Sequence, residues 1–194
     1  MPVRISELRQ LLDAIAKSRE RLQGRAVLVA IDGFGGSGKS TLAARIGRCL
    51  PGAAVVHTDD FALGWQFGWD WDRYQAHILQ PLRAGHAGRY QRYDWGQRQL
   101  AEWREVPADT ATLILEGVSS TRRELGERAD VTVWVEAPAA LRLRRGLERD
   151  GEDARHLWEQ WMAEEEAWAA EQSPADRCDF LVDGAAPLPP GLGG

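Results

Sequence analysis

Only two cysteines occur in the 194 residues, Cys49 and Cys178. Neither stands at a metal-ligating spacing and two are too few for a disulfide framework, so reduced thiols in a cytoplasmic setting are expected. A basic surplus is also lacking. Lysine and arginine number 24 against 29 acidic residues, and a net charge of −5 argues against general nucleic-acid binding. No run approaches the roughly 20 apolar residues of a membrane span, and the start "MPVRISELRQ" lacks the apolar core of a signal peptide. Neither a membrane partner nor export is expected. There is no internal repeat. The length suits one domain with a substantial core, expected over residues 1–184, with residues 185–194 a tail too poor in packing residues to order.

What is present is a hydrophobic period that switches type along the chain. Ile5, Leu8, Leu12, Ile15, Arg19 and Leu22 are spaced as one helix face, ended at Gly24. "AVLVAID" (26–32) is a continuous apolar run, the mark of a strand buried on both faces. "STLAARIGRCL" reads as a helix stopped at Pro51-Gly52, and "AAVVHTDD" (53–60) as a second strand. "TLILEG" (112–117), "VTVWVEA" (131–137) and "FLVDG" (180–184) supply three more. Five strands alternating with helices predict an α/β fold with a parallel sheet.

Between the first buried strand and the next helix lies "IDGFGGSGKST" (31–41). Gly33-x-x-x-x-Gly38-Lys39-Ser40 is the P-loop, or Walker A, pattern in the strand–loop–helix context it requires. Its glycines, Gly33, Gly35, Gly36 and Gly38, let successive N–H groups around Ser37 turn inward on phosphate oxygens at the positive end of the helix. Lys39 is placed to reach the β- and γ-phosphates, Ser40 to ligate Mg²⁺ and Thr41 to touch the α-phosphate. ATP is the expected co-substrate.

Neither the Asn-Lys-x-Asp segment of a GTPase nor the Leu-Ser-Gly-Gly-Gln signature of an ABC-type ATPase is present. The second strand instead ends in "HTDDF", where open α/β sheets place ligands. Asp59 or Asp60 can accept a hydroxyl proton and help hold Mg²⁺; the competing reading is that they cap the next helix. Glu116, closing "LILEG", stands where a P-loop enzyme reaches its metal. In "LRLRRGLERD", Arg142, Arg145 and Arg149 share a helix stripe, which makes residues 138–150 a candidate lid over a triphosphate. A solvated face is the alternative.

On these residues the chain resembles the uridine kinase-like members of the P-loop nucleoside kinase superfamily, and is similar also to pantothenate kinases and phosphoribulokinases. The likeness runs from about residue 26 to 184. It rests on "GFGGSGKST", on "HTDDF" where uridine kinases have Asp-Ser-Phe-Tyr, on "RYDW" where they have Tyr-Asp-Phe, on "LILEG" and on "RLRRGLERD". The resemblance implies a three-layer αβα sandwich around a five-stranded parallel core, ATP and Mg²⁺, Asp59 as general base, and Arg145 and Arg149 as lid arginines.

The acceptor region departs from that pattern. Asp60 and Ala62 replace Ser and Tyr, and Arg98 stands where a base-contacting His is expected. "GWQFGWDWDRYQ" places Trp65, Phe67, Trp69, Trp71 and Tyr74 within ten residues, followed by Tyr90, Tyr93 and Trp95. Their rings could stack on an acceptor while Asp70 and Asp72 bind hydroxyls, or they could form a small aromatic core. On a later helix Leu157, Trp161 and Trp168, with Trp158 at the edge of the same face and Glu159 and Glu166 opposite, read as packing. The expected reaction is phosphoryl transfer to a hydroxyl of a small molecule, a nucleoside in the first instance. A sugar or aminoglycoside-like acceptor is the alternative, as is a nucleotide-binding regulator. Assembly into a homo-oligomer is left open.

Overall fold

An apolar strand buried on both faces must satisfy its N–H and C=O groups through neighbours of the same kind. In the computed structural model, which describes residues 1–22, 24–63, 68–126 and 129–186, the apolar runs do so side by side. The chain order is β1 (Val3–Ile5), α1 (Leu8–Leu22), β2 (Val27–Asp32), α2 (Lys39–Cys49), β3 (Ala53–His57), α3 (Trp71–Tyr74), α4 (Gln80–Arg83), β4 (Gly88–Asp94), β5 (Gln99–Val106), β6 (Thr112–Glu116), α5 (Arg123–Gly126), β7 (Val131–Glu136), α6 (Ala139–Asp150), α7 (Arg155–Gln172), α8 (Pro174–Arg177) and β8 (Phe180–Asp183). Six strands form one parallel sheet in the order β1-β8-β7-β2-β6-β3. The strand count is therefore six rather than five. The addition is β1, whose three residues bury Ile5 alone and are too short to show a period. Ile5 thus belongs to an edge strand and not to the helix that follows.

One face of the sheet carries α1 and α2, where Leu8, Leu11, Ile15, Leu42 and Ile46 pack on Val29, Ile31, Val133 and Val135. On the other face Leu28, Val56, Leu113 and Leu115 meet Phe61, Trp69, Tyr74 and Ile78. The run 53–60 is a strand only to His57, since Thr58–Phe61 winds into a 3-10 turn. Beyond it the helical segment α3–α4 widens into a π turn over Gln75–Leu79, ahead of Pro81, which has no N–H to give to the ladder. Strands β4 and β5 pair as an antiparallel hairpin apart from the main sheet. Trp65 and Phe67, and the tail from residue 187, lie outside the described residues. Among the described residues no helix is long and apolar enough to cross a membrane.

Candidate active site

The glycines of the P-loop are there because the backbone leaves no alternative. Gly33, Gly36 and Gly38 have φ of 150°, 74° and 102°. A Cβ on Gly33 would stand 2.3 Å from the Val135 carbonyl oxygen, and one on Gly36 would stand 2.6 Å from that of Arg142. The loop is thus pressed against β7 and α6. Helix α2 begins at Lys39 with no side chain capping it, so its N-terminus is available to an anion. Lys39 is buried and its Nζ donates to the Phe34 carbonyl at 3.3 Å.

At the end of β6, in register with His57 of β3, Glu116 accepts from Ser40 Oγ at 2.9 Å and lies 2.6 Å from His57 Nδ1. Burial pushes the Glu116 carboxyl up, but His57, Lys39 and Ser40 together bring it below the ordinary value. The same hydrogen bond raises His57. Asp59 is exposed on one side, with protein packed round the rest of its carboxyl. Desolvation raises its pKa against the pull of Lys39; Glu116 adds to the rise, and His57 and the nearby Trp69 indole oppose it. One hydroxyl and two carboxylates gathered near Lys39 form a hard-oxygen set that suits Mg²⁺. Among the described residues no group of three or more His, Cys, Asp or Glu could hold a metal unaided, as fits an ion held mainly by phosphates and water.

Asp60, the neighbour of Asp59, turns inward. Its Oδ2 accepts from Tyr90 Oη at 2.9 Å and pairs with Arg104 Nη1 at 3.2 Å, and its carbonyl accepts from Arg73 Nη2 at 2.6 Å. The expected substrate role of Asp60 is not what its carboxylate does here: it fastens the β4–β5 hairpin to the 3-10 turn. Trp69 is likewise buried, at 5% exposure, in the aromatic core with Phe61, Tyr74 and Tyr90. Asp70 caps α3 by accepting from the Arg73 N–H at 2.9 Å, and Asp72 is exposed. Trp71, Tyr93 and Trp95 remain half-buried. Arg98 sits in the hairpin turn with φ of 54°.

The arginine stripe of α6 faces the P-loop, but its members divide. Arg142 is 3% exposed, stacked on Phe34 with its guanidinium 4.4 Å from the ring centroid and paired with Glu165 at 3.4 Å. Arg145 Nη1 donates to the Gly36 carbonyl and Nη2 to that of Gly184, each at 3.0 Å. Both therefore brace the P-loop, which sits tightly on α6 at Gly36, and a role toward the triphosphate would come on top of that bracing. Arg149 alone is open, its side chain 71% exposed. Asp150 raises its pKa first, and the charge of Asp59 adds to the rise.

Two site carboxylates escaped the sequence reading. Asp32, the last residue of β2, takes the N–H groups of Gly33 and Ser119 on one oxygen and the N–H and hydroxyl of Thr121 on the other, at 2.6–2.9 Å. Glu165, on α7, accepts from the Gly35 N–H at 2.7 Å. An acidic residue ending an apolar strand was the available signal for Asp32; Glu165 within "AEEEAW" carried none. Helix α7 also differs from the expected packing face, since it buries Trp158 and Glu165 and exposes Leu157. A separate cavity of about 320 Å³ lies by the start of β7, lined by Arg21, Thr121, Asp130, Arg177 and Asp179. It holds none of the P-loop groups.

A P-loop on a parallel sheet, with a carboxylate at the end of the neighbouring strand and an arginine-bearing helix opposite, defines an ATP-dependent small-molecule kinase. The chain belongs to the phosphoribulokinase / uridine kinase family, whose sequence model matches residues 68–172, more than half of it. No curated protein matches. Among solved structures, a proposed fructose transport system kinase from Silicibacter sp. TM1040 aligns with a TM-score of 0.75 at 23% identity, covering 90% of this chain and 98% of that one. A proposed uridine kinase from Bacillus stearothermophilus aligns at 0.63 and 21% identity, covering 90% and 100%. D-glycerate 3-kinase from Cryptococcus neoformans aligns at 0.56 and 11%, covering 94% and 97%. At these identities the likeness is one of fold.

Proposed function

We propose that residues 1–184 act as one kinase domain that transfers the γ-phosphoryl group of ATP to a hydroxyl of a nucleoside, with Asp59 as the base. The observation that carries this reading is the surroundings of Asp59. Lys39, Glu116 and His57 act on it from the nucleotide side, the Trp69 indole lies near enough to lower its pKa from the other, and its charge reaches Arg149. A carboxylate with a raised pKa is a stronger proton acceptor. The acceptor oxygen gives its proton to Asp59 and bonds to the γ-phosphorus as the bond to the β–γ bridging oxygen breaks, releasing ADP. Lys39 and Arg149 balance the charge that spreads over the transferring group. Ser40, Glu116 and Asp59 are the groups that would hold Mg²⁺, directly or through water, and that ion would neutralise phosphate charge.

The half-buried rings of Trp71, Tyr93 and Trp95 support an acceptor with a planar base, and exposed Asp72 supports one with free hydroxyls. Arg98 in place of a base-reading histidine favours a nucleoside other than uridine. A second reading, a sugar or similar hydroxylated metabolite, is favoured by one fact: Trp69, Tyr74 and Tyr90 are spent in the core, leaving fewer faces for a base. ADP release measured across nucleosides and monosaccharides tests both. Acceptor-dependent turnover, highest with a nucleoside and low with uridine, is expected; the same slow release with every compound would make the chain a nucleotide-dependent regulator instead.

A further inference from the structure

We propose that Glu165 is a positioning residue that fixes the P-loop for nucleotide by holding the N–H of Gly35. The two shortest bonds to this carboxylate both fall on Oε1, from the Gly35 N–H and from Trp161 Nε1, each at 2.7 Å. The ion pair with Arg142 on Oε2 is longer, at 3.4 Å. If Glu165 served only to neutralise buried Arg142, the guanidinium would take the short, paired contact that such ions prefer. The carboxylate instead turns its better oxygen to the loop.

The loop needs that partner. Gly35 is packed so tightly that a Cβ there would lie 3.0 Å from the Trp158 ring and 3.2 Å from Glu165 Oε1. Water has little room to replace an acceptor at this spot, and a buried N–H left unpaired is costly. Glu165 is fully buried itself, and desolvation raises its pKa while Gly35, Lys39, Trp161 and Arg142 pull it down. A carboxylate kept in such a place, where an apolar side chain would pack more cheaply, is best explained by the geometry that it imposes. Asp32 treats the preceding turn in the same way, binding the Gly33 N–H at 2.7 Å. Two buried carboxylates from β2 and α7 thus pin alternate N–H groups of the loop, and the helix pair α6–α7 is mechanically part of the phosphate cradle.

The inference rests on the kinase reading only for its effect on ATP, so the test includes a readout in the free protein. Amide hydrogen exchange at Gly35 and Mg·ATP affinity by calorimetry are measured in the wild type, Glu165→Gln, Glu165→Leu and Ile15→Ala, a core variant on the far helix α1. Glu165→Leu should lose Gly35 protection and weaken Mg·ATP at least tenfold, with the acceptor KM within twofold of the wild type. Glu165→Gln keeps an oxygen for both donors and should stay within about threefold. Ile15→Ala should lose thermal stability but not Gly35 protection. If Glu165→Leu does not fold, Glu165→Asp, one methylene shorter, replaces it with the same expected loss of protection. Retained protection of Gly35 in the Leu or Asp variant overturns the proposal. Failure of the wild type to bind Mg·ATP would end the kinase reading and leave the exchange result to decide the role of Glu165.

Discussion

Asp59 and Asp60 are adjacent in the chain and turn different ways, one to solvent and the other onto Tyr90 and Arg104. The 3-10 turn they share makes this division, because it rotates successive side chains by about a third of a circle. Asp59→Asn keeps the shape and loses the proton acceptor, and should lower kcat roughly 10²-fold or more with ATP affinity little changed. Asp60→Asn should act on the fold: a buried partner of Arg104 is lost, and stability should fall by about 1–3 kcal/mol in denaturant titrations. The reverse pattern would exchange their roles.

Asp32 supplies a test against pH. Burial pushes its carboxyl up from 3.8 to about 6, against the bonds from Thr121 and Gly33 and the charge of Lys39. Between those two values the folded chain binds the proton more tightly than the unfolded one, so stability falls as pH rises through that window. Relative to Asp32→Ala, the wild type should lose roughly 2 kcal/mol between pH 4 and pH 7 and then level off. Urea titrations of both proteins across that range measure the difference; a wild type gaining stability over the window would contradict the burial argument.

The P-loop, the succession of buried strands along the chain and the meeting of Ser40 with Glu116 were legible in the sequence. Each rests on local rules: glycine where φ is positive, an apolar run where both faces are covered, a polar residue at a strand's carboxyl end. The β4–β5 hairpin and β1 were not, since β5 exposes Leu100 and Trp103 and so breaks the alternation of a half-buried strand. The arginines of α6 were placed on the correct stripe but given one task. Spacing reports which residues share a face, whereas the partners of Arg142 and Arg145 come from Glu165 and the P-loop carbonyls, remote in sequence, and Arg149 pairs with its neighbour Asp150. Glu165 itself looks like one acid among three on a solvated helix.

The tryptophans of the acceptor region should separate in the same manner. Trp69 lies in the core close to Asp59, so Trp69→Ala should cost about 3–5 kcal/mol of stability and weaken catalysis with every acceptor. Trp71, half-buried beneath the Arg122 guanidinium at 5.3 Å from its ring centroid, should affect the acceptor alone. Trp71→Ala is expected to raise the acceptor KM by roughly two- to tenfold, the worth of one stacking contact, and to leave the KM of ATP unchanged. Equal rises for both substrates would return Trp71 to the core.

The last test divides the α6 stripe residue by residue. Arg149→Ala removes a side chain that is mostly in solvent, so its thermal midpoint should move by no more than a degree or two, while kcat falls by about 10²-fold if the guanidinium meets the transferring phosphoryl group. Arg145→Ala strips donors from the carbonyls of Gly36 and Gly184; it should raise the KM of ATP and lower stability by about 1–3 kcal/mol, because each carbonyl is left short of a partner. Arg142→Ala leaves the Glu165 carboxylate buried without its cation and a void beside Phe34, and should be the most damaging to the fold, by about 3–5 kcal/mol. Stability and kinetics should therefore run in opposite order along one helix. A thermal loss at Arg149 as large as that at Arg142, or a kcat at Arg149→Ala equal to that of the wild type, would take Arg149 out of the reaction and leave Lys39 as the one cation of the site that meets the phosphates.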